Sequence, residues 1–114
     1  MTSSPFSRRA QLRALDSIVG RLETSEKRRR AEDAAQLKVL AEAVEMATAQ
    51  DSAALKNEHS SLAYRAVRSE IACALNMSEQ SVERRMSHAY ELIQHYFITY
   101  MALREGEISL AHTE

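Results

Sequence analysis

The chain has 114 residues, enough for one domain with a modest core. Two Gly, one Pro and no Trp, beside abundant Ala, Leu, Glu and Arg, favour helices and leave few places for hairpins. A net charge of −1 argues against a strong nucleic-acid footprint. No apolar run approaches a membrane span or a signal-peptide core, so a cytoplasmic protein is expected.

Met1 to Ser4 should form a frayed terminus, and Pro5 suits the first turn of a helix. Leu12, Leu15, Ile18, Val19 and Leu22 recur on one face, which predicts a first helix from about Phe6 to Arg21, weakened at its end by Gly20. Glu23-Thr24-Ser25 reads as a short turn with Ser25 as the next N-cap. One uninterrupted helix is the competing reading, because three polar residues do not force a break. A second helix is expected from about Glu26 to Ala49. Its stripe of Leu37, Leu40, Val44 and Ala47, widened by Ala34 and Ala41, resembles a coiled-coil or antiparallel-hairpin seam. So poor a stripe must pack on something else. Lys27-Arg28-Arg29-Arg30 wraps around a helix and reads as a solvated start rather than a phosphate cluster, although the dipole disfavours cations there.

Gln50 to Ser61 is the one polar stretch without periodicity and the best candidate for a linker. It divides the chain into an N-terminal helical hairpin or coiled-coil arm, 1–56, and a second part, 57–114. The first carries ten Lys/Arg against eight Asp/Glu, and the second five against eight, so DNA binding must rest on local arrangement or on a dimer. Leu62, Ala66 and Val67 should continue a buried face, with Arg65 and Arg68 on the outer one.

Ser69 to Leu92 carries the most information. Ile71, Ala72 and Leu75 give one helix an apolar face, and Val82, Met86, Ala89 and Ile93 give another. Between them Asn76 tolerates the left-handed conformation of a helix stop, and Ser78 is a natural N-cap. Small residue, turn residue and apolar pair together spell a helix-turn-helix; an ordinary helical hairpin is the plainer alternative. Periodicity continues through Ile93, Tyr96, Phe97, Tyr100, Met101 and Leu103, so the second helix should run from Glu79 to Arg104 and stop at Gly106. Tyr90, Tyr96, Phe97 and Tyr100 then form an aromatic stripe suited to a core or a homodimer seam. Ser109 should cap a further helix, cut off by the chain end as in a truncated or fragmentary protein. Cys73 cannot form an internal disulfide. Beside Ala72, Ala74 and Leu75 it reads as a small buried thiol.

Two family patterns fit these residues. Glu70-Ile71-Ala72, Leu75-Asn76-Met77-Ser78 and the run Val82 to Ala89 resemble the region-four helix-turn-helix of bacterial sigma factors, with Asn76 in place of the usual Gly. Residues 62–112 more widely resemble domain of unknown function 222, the actinobacterial thirteen-E-twelve repeat family. The match rests on Glu70-Ile71-Ala72, Leu75 with Ser78, Glu83-Arg84-Arg85-Met86, Ala89 with Leu92, Gly106-Glu107-Ile108-Ser109 and Ala111-His112. That family commonly carries a C-terminal HNH nuclease domain, which these residues do not supply. Where it commonly has Leu-Pro, this chain has Tyr96-Phe97, so the helix is expected to run straight through.

Gln80 could read adenine and Arg84 guanine from a major groove, with Ser81 beside them, while Ser78, Arg85, Arg65 and Arg68 could hold phosphates. Glu79 and Glu83 oppose this, and pairing of Arg84 and Arg85 within the helix is the bland alternative. His88, Glu91 and His95 share one helical side, but a fourth ligand and supporting shell are not evident, so solvated polar residues are the better reading and no metal is expected. Cys73 has no His near it in sequence, and a Gly-rich phosphate loop is missing, so neither enzyme activity nor a cofactor is expected. The sequence therefore predicts an all-α bundle of about five helices acting as a non-enzymatic, double-stranded-DNA-binding helix-turn-helix protein. It would serve as a regulator of transcription or as the targeting part of a nuclease-associated protein. The alternatives are a helical dimerisation module without DNA binding and a sigma-like contact to RNA polymerase.

Overall fold

The computed structural model describes residues 7–53 and 62–114. All regular structure in them is helical. Four α-helices form, α1 (Arg8–Ala53), α2 (Leu62–Leu75), α3 (Glu79–His95) and α4 (Phe97–Arg104), followed by a 3-10 turn at Leu110–Thr113. The expectations for Met1 to Phe6, and for the linker between 54 and 61, lie outside the described residues. No helix among those described is long and apolar enough to cross a membrane.

The expected N-terminal hairpin is replaced by one helix of 46 residues. Glu23-Thr24-Ser25 stays helical, with no Pro to interrupt it, and Thr24 Oγ1 donates to the Gly20 carbonyl at 3.0 Å within the continuous helix. The molecule is correspondingly long, 83 × 30 × 16 Å. Its core lies at one end. Ala34, Leu37, Leu40, Ala41 and Val44 of α1 bury against Ala72 of α2, Val82, Met86, Ala89 and Leu92 of α3, and Tyr100 and Leu103 of α4. The first half of α1 projects from this core into solvent.

Two pairs fix the direction of α3. Arg85 Nη1 donates to Gln36 Oε1 at 3.2 Å and Gln94 Nε2 donates to Glu45 Oε1 at 3.0 Å, each pair 49 residues apart. Helices α1 and α3 therefore run side by side in the same direction. The Gly106 carbonyl, however, accepts from Arg30 Nη1 at 2.9 Å, well upstream of Glu45 on α1. The chain must double back after His95, and it does so at Tyr96 (φ −131°, ψ 48°). A straight helix from Glu79 to Arg104 would carry Gly106 away from Arg30, so the break at Tyr96 is a product of tertiary packing, made without Pro.

Two helix ends share one device. At the end of α2, Met77 N–H donates to the Ala72 carbonyl (2.9 Å) and Asn76 N–H to that of Cys73 (3.3 Å), with Asn76 at φ 53°. At the end of α4, Glu107 N–H donates to Ala102 (2.9 Å) and Gly106 N–H to Leu103 (3.0 Å), with Gly106 at φ 79°. Both are Schellman closures, which need a left-handed residue. At Gly106 a Cβ would also collide with the Lys27 side chain, so glycine is required there twice over. The start of α2 is capped from a distance. Asp51 of α1 accepts from the Ala63 and Tyr64 amides at 3.0 and 3.3 Å, tying two otherwise orphan donors to the preceding helix.

Candidate nucleic-acid interface

Helix α3 opens as its sequence requires. Ser78 is extended, and its Oγ accepts from the Ser81 amide at 3.1 Å while donating to Ser81 Oγ at 2.9 Å. Val82, Met86, Ala89 and Leu92 turn the opposite side of α3 into the core. The outward line is then Gln80, Arg84 and Ser87, all exposed. Arg84 reaches only as far as Ser81 Oγ, at 3.5 Å.

The basic residues divide into two groups. Arg65 and Arg84 are exposed. Arg85 is exposed but held to α1 through Gln36. Arg68 is turned inward, 3.4 Å from Glu83 and 3.9 Å from Glu79, so it spans α2 and α3 instead of facing solvent. That arrangement draws charge from the two carboxylates that would otherwise repel a phosphate backbone. Glu83 also accepts from Ser87 Oγ at 3.2 Å, and Glu79 accepts from Ser69 Oγ. Burial, together with the neighbouring Glu83 carboxylate, pushes the Tyr64 phenol above its usual pKa of 10.0.

On its other flank α3 borders a cleft with α1 and the C-terminal turn, lined by Asp33, Gln36, Ser81, Arg84, Arg85 and His88. Gln36 and Asp33 carried no signal in the sequence, since their place depends on the register of α1 against α3. His88 Nε2 lies 2.8 Å from Thr113 Oγ1, which fastens α3 to the C-terminal turn. Among the described residues no three His, Cys, Asp or Glu side chains converge as a metal site.

Several expectations need correction. Tyr100 is buried beneath Phe97, with ring centroids 5.7 Å apart, and so cannot contribute to an exposed aromatic seam. Tyr90 is half-buried against the core. Tyr96 and Phe97 are exposed, joined by Ile98 at 87 % exposure, because the break at Tyr96 swings them outward. Cys73 is exposed, as are Leu62, Ala66 and Leu75. The apolar face of α2 is wider than α1 can cover, and the excess lines an open groove with Val39 and Met46.

No family model, curated protein or solved structure matches this chain.

Proposed function

We propose that the chain is a non-enzymatic DNA-binding protein in which α2 and α3 act as a helix-turn-helix and α3 enters the major groove. The observation that carries this reading is the pairing of a closely buried back with an open front. Ala72, Val82 and Met86 seal α3 against the body of the molecule, while Gln80 and Arg84 stand outward near the N-terminus of α3. These are the side chains that make bidentate contacts to adenine and guanine edges. Ser78, Ser81 and Arg65 flank them as phosphate contacts, and Arg85 joins them by releasing Gln36. Arg68 acts at one remove, by neutralising Glu79 and Glu83. The resemblance of residues 62–112 to thirteen-E-twelve repeat proteins fits a regulator or the targeting part of a nuclease-associated protein.

A second reading, a helical interaction module, draws support from the exposure of Tyr96, Phe97 and Ile98 and from the net charge of −1. Selection of duplexes from a random pool, followed by binding of the winners to Gln80→Ala and Arg84→Ala, separates the two. Base readout predicts an enriched motif and a loss of about 1–3 kcal/mol per variant, confined to one position of the motif each. A pool that yields no motif overturns base readout by α3.

A further inference from the structure

Between Arg8 and Arg29 every residue of α1 except Ala10 is exposed, yet this arm carries Leu12, Leu15, Ile18, Val19 and Leu22 on one face, at 42–60 % exposure. Leu12, Leu15, Val19 and Leu22 follow the three-four-three spacing of a coiled-coil seam, with Ile18 beside it. An apolar stripe of this kind on a solvent-borne helix is half of an interface.

We propose that the arm pairs with the arm of a second copy of this chain, antiparallel, about a two-fold axis beside Ile18. The charges choose both partner and direction. In the antiparallel register Leu12 meets Leu22 and Leu15 meets Val19 of the other copy, and Ile18 lies next to its own equivalent. The next layer outward sets Arg8 against Glu26, and the flanking positions set Arg9 against Glu23. Glu105 and Glu107 border the same stretch of α1 as Glu23 and Glu26, together with Lys27 and Arg30, so the basic tip of one arm arrives beside four carboxylates at a mixed-charge base on the other. Glu26 already pairs with Arg29 at 3.2 Å, but both are exposed, and such a pair exchanges partners at little cost. The parallel alternative stacks Arg8 on Arg8, Glu26 on Glu26 and Arg29 on Arg29 within the seam itself. Asp16, which faces its own copy, opposes the antiparallel pairing, as does the Lys27 to Arg30 run that follows Glu26.

This proposal is independent of DNA recognition by α3, and it places self-association on the arm and not on the aromatic residues. Sedimentation equilibrium of the full chain should give a concentration-dependent dimer. Leu15→Lys with Val19→Lys should raise its dissociation constant at least ~100-fold, with helix content unchanged because neither side chain touches the core. Arg8→Glu with Arg9→Glu should weaken the dimer, and mixing that variant with Glu23→Arg/Glu26→Arg should restore it as a heterodimer. Asp16→Asn should tighten it. Direction is read by a short bis-maleimide on single-cysteine variants in a Cys73→Ser background: Ile18→Cys should crosslink to itself, and Leu12→Cys only to Leu22→Cys. A monomer at every concentration, a dimer indifferent to the two lysines, self-crosslinking of Leu12→Cys, or crosslinking of the arm to Val39→Cys or Met46→Cys in the α1–α2 groove would each overturn the proposal.

Discussion

Arg68 on α2 lies 3.4 Å from Glu83 on α3, and this bridge couples the stability of the α2–α3 pair to the charge of its outer face. Removing the guanidinium leaves two carboxylates uncompensated beside the half-buried Tyr64. Arg68→Ala should lose about 1 kcal/mol in urea unfolding, no more, because Glu79 and Glu83 keep enough solvent to be screened. The same variant should weaken duplex binding, whereas Glu79→Gln/Glu83→Gln should strengthen it. If Arg68→Ala binds DNA more tightly, the guanidinium does not act by masking the carboxylates.

Asn76 holds a left-handed turn that Gly tolerates better and Ala worse. Asn76→Ala should destabilise by about 1–2 kcal/mol and Asn76→Gly should be neutral or slightly stabilising. Gly106→Ala should cost more than Asn76→Ala, because the new methyl meets Lys27 as well as the strained φ. Chemical denaturation of the three variants gives that ranking directly.

Asp51→Ala removes the acceptor for the Ala63 and Tyr64 amides and should cost about 1 kcal/mol. Amide exchange should accelerate first at Ala63 and Tyr64. Acceleration spread evenly over α2 would mean that Asp51 does more than cap.

The raised Tyr64 pKa gives a signed pH dependence. The folded state favours the neutral phenol, so its contribution is complete below the unfolded value of 10.0 and is lost as pH rises through the higher folded value. Stability should fall above about pH 10, and Tyr64→Phe should flatten that part of the curve. Spectrophotometric titration of the phenols, with and without Tyr64, checks the assignment.

Features set by neighbouring residues were legible in the sequence. Asn76 as a stop, Ser78 as a cap, Gly106 as a second stop, the Val82–Met86–Ala89 face and the Leu37–Leu40–Val44–Ala47 stripe all follow local rules. What was not legible depends on distant partners. The break at Tyr96 exists because Gly106 must reach Arg30, and no residue near Tyr96 announces it. Tyr100 is core and Phe97 surface for the same reason. Leu75 is exposed because α1 covers only part of the apolar face of α2, whereas Cys73 lies outside that groove. In the candidate interface, Gln80 and Arg84 could be assigned to the outer face from spacing alone. The inward turn of Arg68 could not, because Glu79 and Glu83 meet it only once α2 and α3 cross.

The central claim is that α3 engages duplex DNA through Arg84 and its neighbours. Fluorescence anisotropy of the full chain with duplex DNA across a salt series tests it most directly. Engagement by α3 predicts binding at low salt and a linear fall of log K with log salt. It also predicts a shallower slope for Arg84→Ala/Arg85→Ala, by about 0.9 for each phosphate no longer neutralised. Absence of binding at the lowest salt, for monomer and dimer alike, would contradict it.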